Sequence, residues 1–197
     1  MRVIVPFAAD PAHDVRGLWP ETVAALEAAG IVADYIDVSS SPTAYQSLLA
    51  TVWQAGSAFC IVEMDIVVYP DAIEAMERCP EPWCVTAYNV GSEYAGYLGC
   101  VKFGDALVAD QPDVFTEINR LPDDGTPRGY WGRLDTRLER VLRERGYTKH
   151  THWPAVGHLN PEKAGLIVNC ACGAAIPEAI LMSGPGPHQC PSCEARP

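Results

Sequence analysis

The chain has 197 residues, of which 48% are hydrophobic and 20% are charged. This length and composition are typical of one domain of catalytic size with room for a small appendage. The net charge of -11 at pH 7 argues against a protein that coats nucleic acid or an anionic membrane through its overall field, because such binding needs Lys and Arg to neutralise phosphates.

The first residues, Met1 to Pro6, are predicted to form a strand, and no apolar segment is long enough for a signal peptide or a membrane span. We therefore expect a cytoplasmic protein without a membrane partner. In a reducing compartment, the four scattered cysteines are interpreted as core or near-surface thiols: Cys60, Cys79, Cys84 and Cys100.

Strands and helices alternate in the first third of the chain. Hydrophobic patterning predicts strands at 3–7, 31–38 and 58–62, with helices at 20–29 and 43–55 between them. This alternation predicts an α/β fold with a mostly parallel central sheet. The ligands of such sheets gather at the carboxyl ends of the strands.

Further elements follow up to the last strong helix. They are a helix after Pro70, strands at 83–88 and 97–103, and helices at 105–109, 114–121 and 134–146. The composition changes near residue 160. We therefore divide the chain into a main domain of residues 1–160 and a compact tail of residues 161–197.

Two carboxylates stand at the end of the third strand, in Glu63-Met64-Asp65. Because they are spaced i, i+2, they lie on one side of the backbone and can share a hard cation. This arrangement predicts a site for a divalent metal and a diphosphate. The alternative is a solvated turn between a strand and a helix, with Asp71 capping the helix.

Three segments together resemble the glycosyltransferases of the GT-A fold, which use a metal-bound nucleotide sugar. Glu63-Met64-Asp65 occupies the place of their DxD motif. The segment Tyr130-Trp131-Gly132-Arg133-Leu134-Asp135 is similar to their Trp-Gly-x-Glu-Asp helix start, with Leu134 in place of the first acid. The segment from His152 to His158 resembles the late histidine segment that completes the metal shell. The resemblance covers residues 1–160, and its nearest form is that of small bacteriophage-encoded glycosyltransferases.

This resemblance implies a Rossmann-like domain that binds a nucleotide sugar, with Mn²⁺ or Mg²⁺ as its catalytic cofactor. Asp65 and His158 would bind the metal, with His152 as the competitor of His158. Glu63 would act through water or on the ribose. By position alone, the donor pocket would also include Pro6, Phe7, Asp37 and Tyr45.

Asp135 would be the catalytic base, and direct displacement with inversion follows from a base used in this way. Its place at a helix start predicts a lowered pKa, because the helix dipole favours a negative charge there. The alternative is a carboxylate that only satisfies amides of the first helical turn. Trp131 would form the floor of the donor or acceptor pocket, or else pack as a hydrophobic staple.

The tail contains four clustered cysteines: Cys170, Cys172, Cys190 and Cys193. Two closely spaced thiolate pairs predict a structural Zn²⁺ ion in a zinc ribbon, because so short a segment hardly folds without its metal. His188 could replace one cysteine, and disulfides are the alternative.

The function predicted from these features is transfer of a hexose or N-acetylhexosamine from a UDP-sugar to an acceptor hydroxyl. The leading acceptor is a hydroxymethylated pyrimidine in phage DNA, suggested by the zinc tail and by seven basic residues between Arg128 and Lys149. A virion or host protein is the other acceptor, and the basic residues can equally form a solvated, ion-paired helix face. A non-catalytic binding module, supported by Leu134, and a nucleotidyltransferase are the competing functions.

Overall fold

The computed structural model describes residues 1–10, 15–90, 93–121, 133–153 and 156–159, together with two short strands at 167–169 and 175–177. Its centre is a six-stranded sheet. The strands, in spatial order, are β11 (His150–His152), β7 (Trp83–Thr86), β10 (Cys100–Phe103), β5 (Phe59–Val62), β1 (Arg2–Phe7) and β4 (Ala33–Asp37). Only β10 runs against its neighbours. The predicted α/β class with a mostly parallel sheet is therefore confirmed.

Six helices in the described residues connect or cover these strands: α1 (Pro20–Ala28), α2 (Ala44–Gln54), α3 (Ala72–Arg78), α4 (Asp105–Asp110), α5 (Val114–Ile118) and α6 (Leu134–Glu144). Gly30 and Gly56 follow α1 and α2 with φ angles of 70° and 75°, a conformation that glycine adopts without steric cost. Within the described part of the chain, no helix is both long enough and apolar enough to cross a membrane.

Four antiparallel two-stranded ladders complete the described elements. They pair β2 (Ala9–Asp10) with β3 (Val15–Arg16), β6 (Ile66–Val67) with β12 (Gly157–His158), β8 (Tyr88–Val90) with β9 (Glu93–Ala95), and β13 (Ile167–Asn169) with β14 (Ala175–Pro177). The predicted strand at 83–88 is interrupted at Ala87, because β7 ends at Thr86 and β8 begins at Tyr88. The strand predicted at 97–103 begins only at Cys100.

The core lies on both faces of the sheet. One face packs against α2, α5 and α6, and its largest buried rings belong to Trp53, Phe59 and Phe103. The predicted apolar stripe of α6 is buried there, and Leu134 at its start is 0% exposed. Leu134 is therefore a core residue.

Replacing Trp53 by alanine is expected to lower the free energy of unfolding by about 3–5 kcal/mol, the usual cost of removing a buried aromatic ring. Trp53 is 2% exposed. Its ring centroid lies 5.1 Å from that of Phe103. Its Nε1 donates a hydrogen bond to the Gln111 carbonyl oxygen at 2.8 Å. Urea unfolding measures the change.

The control for that substitution is Val32→Ala, because Val32 is 92% exposed and should change stability by no more than about 0.5 kcal/mol. A loss below about 1 kcal/mol for the Trp53 variant would contradict the packing described here.

Several predicted site residues lie outside the described residues. They are Trp131, the four tail cysteines Cys170, Cys172, Cys190 and Cys193, and His188. In the tail, the structure describes β13 and β14, which stand on either side of the Cys170-Ala171-Cys172 sequence. The domain division at residue 160 and the zinc ribbon remain predictions.

Candidate active site

The Glu63-Met64-Asp65 turn leaves the end of β5, and backbone hydrogen bonds fix it on both sides. The Glu63 amide donates to the Gly99 carbonyl oxygen at 2.8 Å, which continues the β5–β10 pairing by one residue. The Asp65 carbonyl oxygen accepts from the Leu159 amide, also at 2.8 Å. The backbone positions of Glu63 and Asp65 are therefore fixed by hydrogen bonds to neighbouring segments.

Met64 anchors the middle of the turn. Its carbonyl oxygen accepts hydrogen bonds from the Trp19 amide at 3.2 Å and the Thr22 hydroxyl at 2.9 Å. Its sulfur lies 3.3 Å from the Ala8 amide nitrogen, just beyond β1. The middle residue of this DxD-like sequence therefore connects the turn to the end of β1 and to the start of α1.

The β6–β12 ladder brings a histidine to this turn. His158 pairs with Ile66, and its Nε2 lies 3.1 Å from Oδ2 of Asp65. The two side chains are 11% and 16% exposed, so they meet in a largely desolvated place. His152, the other candidate ligand, lies on β11 opposite Thr86. The structure thus places His158, and not His152, against Asp65.

Glu63 lies on the buried side of the site. Tyr45, itself buried, donates from its hydroxyl to Oε1 of Glu63 at 3.0 Å. Burial raises the pKa of Glu63 from 4.5 to about 7, and the Asp65 charge adds to the rise, while the Tyr45 hydrogen bond opposes it. Tyr45, predicted to bind the donor, therefore contacts another predicted site residue, Glu63.

This raised pKa predicts a pH dependence of stability in the metal-free protein. Between pH 4.5 and about 7 the unfolded chain has ionised Glu63 while the folded protein still holds the proton, so stability falls as pH rises through that window. Above it, Glu63→Gln should be the more stable protein by about 3 kcal/mol. Chemical denaturation in EDTA at several pH values measures this difference.

Glu81→Gln is the matched control, because Glu81 is exposed. Its stability should follow that of the unsubstituted protein at every pH. If the stability of the Glu63→Gln protein also followed that of the unsubstituted protein at every pH, Glu63 would have an ordinary pKa.

Asp135 is the second residue of α6 and is partly buried. The expectation of a lowered pKa is wrong, because burial raises the pKa of this carboxyl more than the Thr136 amide, which donates to Oδ1 at 2.7 Å, lowers it. Its charge also raises the pKa of Glu63 and of Tyr45, so Asp135 lies within electrostatic range of both residues. A raised pKa makes this carboxylate a stronger base.

Tyr88 belongs to the site, although no sequence motif indicated it. Its buried ring lies 5.3 Å from the His158 ring, between centroids. Its hydroxyl oxygen accepts from the Gly99 amide at 3.3 Å, and a Cβ at position 99 would lie 2.7 Å from the ring. The sequence could have indicated Tyr88 through its position just after β7, because the carboxyl ends of parallel strands lie at the same edge of the sheet.

The remaining predicted donor residues lie at the ends of β1 and β4. Phe7 pairs with Asp37, and Pro6 precedes it in the same register. The exposed Asp37 carboxylate accepts from the Ser39 amide at 2.8 Å, and the Ser39 hydroxyl and amide lower its pKa. Asp37 is therefore an ionised, accessible acceptor at the same edge of the sheet.

Comparison with solved structures finds similar folds at low sequence identity. The A197 protein from STIV superposes with a TM-score of 0.50 and 8% identity, covering 96% of this chain and 96% of that chain. This chain shares its fold with that protein. The identity is too low to carry more than the fold, so the chemistry of this chain rests on its own residues.

Two further structures are similar at lower scores. A glycosyltransferase involved in the glycosylation of the major capsid of PBCV-1 has a TM-score of 0.43 and 14% identity, over 86% of this chain and 85% of that one. A CMP:2-keto-3-deoxy-manno-octonic acid synthetase complexed with CTP has a TM-score of 0.45 and 11% identity, over 98% and 94%. No protein-family model matches the chain, and no curated protein matches it in sequence.

The contact between Asp65 and His158 brings together two ligands that a divalent cation can use. The carboxylate of Asp65 contacts the imidazole of His158, and Glu63 and Asp135 lie near enough for their charges to interact. The charges of Asp65 and Asp135 raise the pKa of Glu63, and a bound cation would relieve that repulsion. Carboxylate oxygens with one imidazole nitrogen suit Mn²⁺, and Mg²⁺ next.

Proposed function

We propose that the protein is a metal-dependent transferase that moves a sugar from a nucleotide sugar, with a UDP-sugar as the expected donor. The observation that carries the proposal is the contact of His158 Nε2 with Asp65 Oδ2, 3.1 Å apart, beside Glu63. Asp65 and His158 would hold Mn²⁺ or Mg²⁺. When bound, the cation neutralises the charge that develops on the leaving diphosphate.

Asp135 is assigned as the base of an inverting displacement. It would take the proton of the acceptor hydroxyl while that oxygen forms its bond to the anomeric carbon. The bond from that carbon to the diphosphate breaks at the same time, and its electron pair leaves with the diphosphate. The raised pKa of Asp135 supports this assignment, because a general base works best when its pKa approaches the operating pH.

Asp37 and Glu63 are assigned to binding of the nucleotide-sugar donor, and neither takes part in breaking or forming the glycosidic bond. Asp37 is ionised and exposed at the end of β4, opposite Phe7, where it can accept hydrogen bonds from ribose hydroxyls. Glu63 would reach the ribose or the metal through water. Trp131 would add an aromatic surface for the sugar or the acceptor.

The acceptor proposal concerns the basic residues near Asp135. Four of them are in ion pairs with carboxylates: Arg140 with Glu144, Arg143 with Glu139, Arg145 with Asp113, and Lys149 with Glu139. Arg137 is buried. This arrangement fits the ion-paired helix face better than a phosphate-binding surface, so a protein acceptor gains weight against hydroxymethylated DNA.

The exposed Arg140 and Arg143 allow the two acceptors to be distinguished. If DNA is the acceptor, replacing both by alanine should weaken retention of hydroxymethylated duplex DNA and reduce its salt dependence. Unchanged retention would remove the basis for a DNA acceptor.

The competing functions are a non-catalytic module and a nucleotidyltransferase. Leu134 supported the first, but its side chain belongs to the core, and the charge of Asp135 beside it still acts on Glu63. Carboxylates that bind a metal and a diphosphate would serve a nucleotidyltransferase as well. Nucleoside triphosphates therefore belong among the substrates tested.

The deciding experiment incubates the full chain with Mn²⁺ and a panel of UDP-sugars, GDP-sugars and nucleoside triphosphates. Release of UDP or GDP that stops in EDTA supports a sugar transferase. Release of pyrophosphate from a triphosphate in the presence of a sugar phosphate supports a nucleotidyltransferase instead. Failure to bind any nucleotide sugar would falsify the proposed function.

A further inference from the structure

A second group of metal-binding side chains lies outside the candidate active site. Two thiols and two imidazoles come together there, from Cys79, Cys84, His150 and His152. One ligand atom of each lies within 4.8 Å of those of the other three. No sequence motif predicts this cluster, because its cysteines and its histidines are far apart along the chain.

The fold itself builds the cluster from three elements. Cys79 directly follows α3, in an extended conformation that leads into Pro80. Cys84 is buried on β7, and the parallel β7–β11 pairing sets His150 opposite it. His152 stands two residues further along β11, on the same face as His150. The backbone of the sheet therefore fixes three of the four side chains relative to one another.

The separations suit a tetrahedral zinc ion. With Zn–S bonds of about 2.3 Å and Zn–N bonds of about 2.0–2.1 Å, neighbouring ligand atoms of such a site are roughly 3.3–3.8 Å apart. Sγ of Cys79 already lies 3.3 Å from Nδ1 of His150. The other separations are all within 4.8 Å, about 1 Å or less beyond the upper end of this range.

His152 supplies an independent indication of a ligand. Its Nε2 is buried, and no hydrogen-bond partner for it occurs in the part of the chain that the structure describes. Buried polar atoms are rarely left without a partner, because the loss of water then goes uncompensated. A metal bound to this nitrogen would supply the partner.

Charge in the surroundings is compatible with such an ion. The nearest buried cation is Lys102, whose Nζ donates to the Cys79 carbonyl oxygen at 2.6 Å. A Zn²⁺ ion with two thiolates and two neutral imidazoles is neutral as a unit. The Lys102 ammonium therefore does not repel the filled site.

We propose that Cys79, Cys84, His150 and His152 bind one Zn²⁺ ion as a closed structural site, separate from the active-site cation and from the tail. Four protein ligands leave no position open for a substrate. The ion would cross-link three elements: the end of α3, β7 and the short strand β11. Because β11 leads into the segment that carries His158, the ion would also support the position of that residue.

The test uses the full chain with its tail thiols removed, so that the remaining thiols are those of the new site and of the buried Cys60 and Cys100. The substitutions are Cys170→Ser, Cys172→Ser, Cys190→Ser and Cys193→Ser. This protein should purify with about one zinc per chain. After exchange with Co²⁺ it should show a thiolate-to-cobalt charge-transfer band, which an ion at the sulfur-free Asp65 and His158 site cannot give.

Ligand substitutions then locate the ion. In the same background, His150→Ala should retain less than about one tenth of the zinc and lose the band, since three ligands bind this metal far more weakly. His150 is exposed, so the variant should still fold. Cys60→Ala is the matched control, because it removes a thiol outside the cluster and should leave zinc and band unchanged.

Three results would overturn the proposal. One is a tail-substituted protein with neither zinc nor the cobalt band. Another is zinc that survives in His150→Ala. The third is a Cys79–Cys84 disulfide, detected by mass spectrometry after alkylation. A measurement on the tail-substituted protein alone, in which added Zn²⁺ should slow alkylation of Cys79 and a zinc chelator should restore it, decides the matter even if a ligand variant fails to fold.

Discussion

Replacing Asp65 by asparagine is expected to reduce metal-dependent nucleotide release on the order of 10³-fold. The substitution keeps the shape of the side chain but removes the anionic oxygens, one of which lies 3.1 Å from His158 Nε2. The remaining imidazole cannot hold Mn²⁺ firmly by itself. Affinity for Mn²⁺, measured by titration without donor, should therefore fall together with the rate.

The control for Asp65 is Asp71→Asn. Asp71 is an exposed carboxylate before α3, and its side chain makes no hydrogen bond to the helix start. The Asp71→Asn protein should retain full activity and full affinity for Mn²⁺. An Asp65→Asn protein that bound Mn²⁺ normally and released nucleotide at the normal rate would remove Asp65 from the metal site.

Replacing Asp135 by asparagine is expected to slow sugar transfer by about 10²–10⁴-fold, the usual contribution of a general base. Donor affinity should change little, because Asp135 is assigned to the acceptor hydroxyl. Since burial raises the pKa of Asp135, the acid limb of kcat/KM in the unsubstituted enzyme should lie above the ordinary carboxyl pKa of 3.8. That limb should be absent in the variant.

Asp110→Asn is the matched control, because Asp110 is an exposed carboxylate at the end of α4. Donor binding by calorimetry and transfer by product formation together separate the two possible roles of Asp135. If the substitution weakened donor binding and transfer equally, Asp135 would be a donor-binding residue rather than the base.

The parts of the site that the sequence predicted share one property: they depend on local pattern. A buried strand ending in Glu63-Met64-Asp65 is visible as an apolar run followed by two acids, and β5 ends there as expected. The apolar stripe of α6 is equally visible, and it placed Asp135 at the start of a helix. The alternation of strands and helices then predicted that the end of β5 and the start of α6 lie at the same edge of the sheet.

The parts that were not predicted depend on three-dimensional neighbours. Strands β11 and β12 have three and two residues, too few for a hydrophobic period to identify. The direction of the Asp135 pKa shift reflects burial by surrounding segments, whereas the sequence revealed only the helix start. The grouping of Cys84 with His150 requires the β7–β11 register, which no spacing along the chain encodes.

The pairing of β6 with β12 also has a consequence for the order in which the molecule is assembled. Residues 66–67 are synthesised early, but their partner strand comes from residues 157–158, near the end of the described domain. A contact between such distant segments forms late, after the loop between them has been closed. The nascent protein can therefore build the five sheet strands before β11 while still lacking His158. We expect the first four-fifths of the chain to form a partly folded intermediate that cannot turn over substrate. Most of the sheet would then fold before the candidate active site is complete.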